Sequence, residues 1–260
     1  MLAEHRSLLK FKGREIVRNI KLIIEYDGTN YAGWQRQNNV ITIQEKIERA
    51  IEELTGEEIK ITGSSRTDTG VHAKGYTGNF YTNSKISVEK FTGAINIRLP
   101  LDIVVLKCCE VSLEFHSRYN SIGKRYSYSI LNRRESVAVG RNYVYHHKWI
   151  LDIEAMQEAA QYFLGTHDFS AFKNLGSSVK TSVRTITELD IIKNEDLIKI
   201  YIAADGFLYN MVRIIVGTLV RVGEGKIKPN EIKTIIESKE RSRAGKSVPP
   251  GGLCLEEVFY

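Results

Sequence analysis

Cysteine is scarce in this chain, with three residues in 260: Cys108, Cys109 and Cys254. The number is odd, two are adjacent, and none stands in a C-x-x-C or Cys/His ligand spacing. A disulfide framework and a zinc site are therefore both disfavoured, and a reducing compartment such as the cytoplasm is expected. Long apolar runs are missing too. Residues 1–6 lead into further charge, and the most apolar stretch, Met211 to Val222, is broken by Arg213 and Arg221, so neither a signal peptide nor a membrane span is expected. Negative charge is in deficit: 37 Lys and Arg stand against 31 Asp and Glu, a formal charge of +6. That balance suits a polyanionic partner without requiring one. No His/Asp/Glu cluster offers a metal site, and no second acidic motif stands near the first in the way a glycoside hydrolase would need.

What is present is ordinary for a folded chain, with 42% hydrophobic and 26% charged residues. A length of 260 fits one large domain or two of ordinary size. The centre of interest is Gly63-Ser64-Ser65-Arg66-Thr67-Asp68-Thr69-Gly70-Val71-His72-Ala73, which carries a carboxylate, a guanidinium and an imidazole between two glycines. Small hydroxyl residues and glycine favour a shaped loop, with Asp68 at its tip. Such a loop is also the composition of a plain turn.

Residues 19–26 read as a β-strand ending at Asp27-Gly28. The loop 27–37 mixes aromatics with amide and guanidinium groups, types that stack on bases and bond their edges, although Trp34 alone reads better as a core plug. Thr42-Ile43-Gln44-Glu45 is a capping box, and Ile43, Ile47, Ala50, Ile51 and Leu54 follow at helical spacing until Gly56. Strands are expected at 59–62, 76–82 and 103–111, with a helix from Ser87 to about Ile95. This is an α+β pattern, with helices on one face of an antiparallel sheet.

The pattern then restarts: a strand at 124–131, a helix capped by Asp152, strands at 186–192 and 197–203, and a buried helix over 207–222. Tyr209, Asn210, Arg213 and Gly217 are spaced to share one stripe of that helix, where a guanidinium needs a counter-charge. Asp68 and Glu224 are the two candidates. A short charged helix within 226–240, a basic flexible loop at 241–247, Pro249-Pro250-Gly251-Gly252 and a last strand over 253–259 complete the chain.

Six segments, in order, resemble the tRNA pseudouridine synthase A family. They are Glu25-Tyr26-Asp27-Gly28 with Gly33-Trp34-Gln35-Arg36-Gln37; Arg66-Thr67-Asp68-Thr69-Gly70-Val71-His72-Ala73; Phe115-His116-Ser117-Arg118-Tyr119; Lys124-Arg125-Tyr126-Ser127-Tyr128; Asp168-Phe169-Ser170-Ala171-Phe172; and Asp205-Gly206-Phe207-Leu208-Tyr209-Asn210-Met211-Val212-Arg213. Ser65 and Thr69 depart from the expected Gly and Ala, and Gly251-Gly252 replaces a shorter spacer before Leu253; none of these removes a group the reaction needs.

The resemblance implies a cofactor-free, metal-free isomerisation of uridine to pseudouridine in the anticodon stem-loop of tRNA, at tRNA positions 38, 39 and 40. Asp68 would be the essential carboxylate, either attacking C1′ or abstracting a proton to give a glycal, with Arg213 paired to it. Tyr126 would stack on the flipped uracil and serve in proton transfer, and Leu253 would pack on the other side of the pocket. Arg66 would fill the place of the displaced nucleotide or contact phosphate, and Arg36, Arg118, His116 and Lys124 would contact RNA. His72 is given at most RNA contact or loop support. Two similar ferredoxin/RRM-like α+β halves, 1–112 and 113–260, with mainly antiparallel sheets, would meet at a basic cleft, in a homodimer. A structured-RNA-binding protein of the same fold and a synthase with another RNA target are the rival readings.

Overall fold

A computed structural model describes residues 17–260 apart from 175 and 177–179; the basic lead-in within 1–16 lies outside the described residues. One mixed, mostly antiparallel sheet of ten strands organises them. The strands are β1 (Arg18–Tyr26), β2 (Thr62–Gly63), β3 (His72–Thr82), β4 (Ile103–Val111), β5 (Gly123–Asn132), β6 (Tyr145–His147), β7 (Gly165–Asp168), β8 (Val183–Asn194), β9 (Leu197–Ala204) and β10 (Leu253–Phe259). Five α-helices accompany them: α1 (Ile43–Thr55), α2 (Val88–Asn96), α3 (Ile153–Gln161), α4 (Met211–Gly223) and α5 (Glu231–Ser238). Across the sheet the order is β4-β1-β3-β10-β5-β9-β8-β7, with β2 beside β3 and β6 beside β5. The last strand thus lies at the centre, parallel to β3 and antiparallel to β5. Among the described residues no helix is long and apolar enough to cross a membrane.

Strand alternation gives the sheet one apolar face. Ile20, Leu22 and Ile24 of β1, Tyr128 and Ile130 of β5, and Ile198, Ile200 and Ile202 of β9 are all buried. α1 is capped as its sequence requires: Thr42 accepts from the Glu45 backbone nitrogen, and Gly56 ends the helix at φ 74°. Trp34 is fully buried and stacks on Tyr76 with centroids 3.8 Å apart, so within loop 27–37 the indole serves the core.

Several boundaries differ from expectation for local reasons. The strand expected at 59–62 is only Thr62–Gly63, because side-chain carboxylates take the preceding donors: Ile59 N bonds Glu52 Oε1 and Ile61 N bonds the buried Glu48 at Oε1. β3 starts four residues earlier than expected, at His72. β6 and β7 are too short to show alternation in sequence. The buried helix begins at Met211 rather than 207, since Asn210 adopts a left-handed conformation at φ 60°; Tyr209 and Asn210 therefore leave the expected stripe, and Arg213 and Gly217 remain on the helix. The basic loop at 241–247 is a packed strap, in which Gly245 N donates to Thr218 Oγ1 at 2.8 Å and Ala244 and Gly245 are buried.

Candidate active site

The loop before β3 is built against loop 27–37 through backbone contacts. Trp34 N donates to Thr67 O at 3.2 Å, the Tyr26 hydroxyl meets Thr67 Oγ1 at 2.8 Å, and Tyr76 OH donates to Ser65 O at 2.5 Å. Gly33 at φ +89° brings its Cα so near Thr67 that a Cβ would stand 2.4 Å from the Thr67 carbonyl oxygen. Val71 N closes onto Asp68 O at 3.1 Å. These bonds hold the loop's backbone and leave the Asp68 side chain, 29% exposed, to meet Arg213.

Arg213, on the first turn of α4, reaches that side chain. Its Nη1 donates to Asp68 Oδ2 at 3.2 Å and to Asn210 Oδ1 at 2.7 Å, while Nε donates to the Val248 carbonyl at 2.8 Å. The other candidate counter-charge, Glu224, is taken by Lys226 at 2.9 Å. Asp68 and Arg213 keep 29% and 17% of their side-chain surface, so the pair is sheltered yet open to a ligand. Tyr126 is buried edge-on to Phe207, with centroids 5.1 Å apart. Burial pushes its phenol pKa up, and the negative charge of Asp68 adds to this. The phenol is therefore held protonated. Leu255 pairs with Tyr126, and Leu253 with Tyr128 two residues along, so Leu253 shares the face of the sheet from which Tyr126 projects. A carboxylate, a guanidinium, a neutral phenol and an aliphatic side chain are thereby brought together at the central strands.

Lys124 lies two residues before Tyr126 on the same face of β5. Its Nζ donates to Ser121 Oγ at 3.3 Å, and burial, then the neighbouring Arg118, lower its pKa. Arg118 is exposed with its guanidinium 5.9 Å from the Tyr119 ring, and Arg66 is exposed. His116 organises its own turn: Nδ1 accepts from Arg118 N and Tyr119 N. Arg36 is half-exposed and donates to Glu48 Oε2 at 3.1 Å. One contributor escaped sequence reasoning: the Val248 carbonyl, a backbone group with no signature of its own.

A model of the family described as tRNA pseudouridine synthase matches residues 22–120 and 159–260. The tRNA pseudouridine synthase A 2 of Clostridium perfringens is 59% identical over 244 residues, covering 94% of this chain and 100% of the relative. The tRNA pseudouridine synthase A proteins of Clostridium acetobutylicum and Acetivibrio thermocellus are 56% and 57% identical with the same coverage.

Proposed function

The chain belongs to the tRNA pseudouridine synthase family and isomerises uridine in tRNA, and from that premise we propose that Asp68 is its reacting carboxylate. The observation that carries this reading is the Arg213 guanidinium 3.2 Å from a partly exposed Asp68 carboxylate, near the buried Tyr126. Isomerisation breaks the N1–C1′ bond, turns the uracil, joins C5 to C1′, and moves the C5 proton to solvent while N1 gains one. A carboxylate held in place by Arg213 serves either route, attack at C1′ or abstraction of a sugar proton to give a glycal. Tyr126 stacks on the freed base and Leu253 closes the opposite side, which keeps the base from leaving. Burial holds the Tyr126 phenol protonated against the freed base.

Arg66, Arg118 and Lys124 supply phosphate contacts, supported by the absence of any carboxylate within ion-pair distance of them among the described residues. Arg36 and His116 extend this surface to the anticodon stem-loop of tRNA. The chain divides into halves 1–112 and 113–260 that meet at the cleft, a reading supported by the two matches of one family model along the chain. The resemblance that suggests the site also suggests a homodimer working in the cytoplasm.

Tritium release from tRNA transcripts labelled at uridine C5, without added divalent metal, tests the central assignment. The expected result is release by the native protein and none by Asp68→Ala, with tRNA binding retained in both. Release by Asp68→Ala at the native rate would remove Asp68 from the chemistry.

A further inference from the structure

The loop that carries Asp68 ends on a histidine whose ring is engaged at both nitrogens. His72 is the first residue of β3 and is buried. Its Nδ1 lies 3.1 Å from the backbone nitrogen of Gly28 and 3.0 Å from Asp27 Oδ1, and its Nε2 lies 3.0 Å from the carbonyl oxygen of Asn142. A carbonyl only accepts, so Nε2 carries a proton. Tyr143 completes the cluster: its hydroxyl donates to Asp27 Oδ2 at 2.7 Å and its ring stands 5.0 Å from the imidazole. Gly251 backs onto the same Asn142 oxygen, near enough that a Cβ there would stand 2.7 Å from it.

Asp27, His72, Tyr143 and Gly251 line a cavity of about 360 Å³ that Asp68, Tyr126 and Arg213 do not line, yet His72 and Gly251 each stand a few residues from a group of the Asp68 site. Four residues before His72 is Asp68, whose carbonyl accepts from Val71 N. Three residues before Gly251 is Val248, whose carbonyl holds Arg213 Nε, and two residues after it is Leu253. The direct contact between Asp68 and Arg213 is 3.2 Å, longer than the roughly 2.7–2.9 Å usual for a charge-assisted bond. With 29% of the Asp68 side chain exposed to water, that contact alone fixes the separation of the two groups weakly. A buried ring with two bonds of fixed direction fixes it better.

We propose that His72 is a positioning residue for the isomerisation, setting the distance between Asp68 and the segment that carries Leu253 and anchors Arg213 through its Nε2–H bond to Asn142 O. This rests on Asp68 being the reacting carboxylate. The imidazole touches no substrate; it acts by holding the exit of the Asp68 loop against the turn at 250–252.

The test compares His72→Ala, His72→Gln and His72→Asn with the native full-length chain, reading single-turnover tritium release, tRNA affinity by filter binding, and thermal melting. A glutamine amide reaches the Nε2 position, whereas asparagine reaches only the Nδ1 position. The expected result is a Gln variant within about fivefold of the native rate and Asn and Ala variants slower by about 30-fold or more, as a displacement near 1 Å can cost about 100-fold. Affinity should stay within about twofold throughout. A merely structural His72 would lower affinity and melting temperature in step with rate and would make Gln no better than Asn. That pattern, or a native rate in His72→Ala, overturns the proposal; if His72→Ala does not fold, the comparison of Gln with Asn decides. Failure of the underlying reading looks different, because Asp68→Ala would then release tritium, whereas failure of the His72 proposal leaves Asp68→Ala silent.

Discussion

Arg213 shows how much one side chain can be asked to do. Its Nε holds Val248 O while Nη1 holds Asn210 Oδ1 and Asp68 Oδ2, a division of labour that needs a planar fork. A lysine ammonium keeps the charge but cannot span the Val248 carbonyl and the Asp68 carboxylate together. Arg213→Lys and Arg213→Ala should therefore both lower single-turnover isomerisation by about 100-fold or more, the scale on which one fixed electrostatic group contributes to catalysis. The stability loss should be small, about 1–2 kcal/mol in thermal melts, since Asp68 left alone is partly hydrated. A near-native rate in Arg213→Lys would show that charge alone suffices. The need for a counter-charge was legible in sequence, because a guanidinium on an apolar helix must be paired. Glu224 caps the far end of the same helix, about 16 Å along it from Arg213 and out of its reach, but that Asp68 comes within reach depends on a long-range packing no local pattern announces.

At the scale of elements, the contact that brings Val248 to Arg213 is the packing of the strap 241–248 on α4. Gly217 and Gly245 let two backbones touch: a Cβ on Gly217 would stand 1.8 Å from the Lys246 carbonyl oxygen. Backbone cannot yield as a side-chain tip can, so Gly217→Ala should cost about 1–3 kcal/mol, the usual range for overpacking. It should also slow isomerisation, because the strap that is pushed away carries the acceptor for Arg213 Nε. Melting temperature and rate measured on the same preparation check both, and an unchanged rate would show that Val248 has no part in holding the guanidinium. The strap was misread as flexible because Arg-Ser-Arg-Ala-Gly-Lys-Ser is a solvated composition; the inward positions are only Ala244 and Gly245, too few to show periodicity. α1 was legible to the residue because capping is local: Thr42 and Gly56 act on their own helix. The start of α4 was not, as the apolar turn at 207–210 has the composition of the helix it precedes, and only the left-handed Asn210 separates them.

At the scale of the molecule, the order of strands explains why residues 68, 126, 213 and 253 can meet. β10 enters the centre of the sheet, between β3, which follows the Asp68 loop, and β5, which carries Tyr126. A last strand placed at the centre is a long-range pairing that no local pattern announces, whereas each strand's own alternation is plain. The chain carries an excess of six positive charges; Arg125 beside Tyr126 is held by Glu188 at 2.6 Å, while the Lys124 ammonium on the same strand meets the Ser121 hydroxyl. Each phosphate neutralised by such a cation releases counterions, so the logarithm of tRNA affinity should fall linearly with the logarithm of salt, by about 0.7–0.9 per contact. With Arg66, Arg118 and Lys124 engaged, a slope of about −2 or steeper is expected between low and moderate salt, by filter binding. Lys124→Met should flatten that slope by about one contact and weaken binding most at low salt, while leaving the single-turnover rate at saturating tRNA within about threefold of native, since uniform binding lost from ground and transition states alike leaves the bound complex as reactive as before. A slope unchanged in Lys124→Met would mean that its ammonium meets no phosphate, and a flat response in the native protein would remove the electrostatic account of tRNA binding altogether.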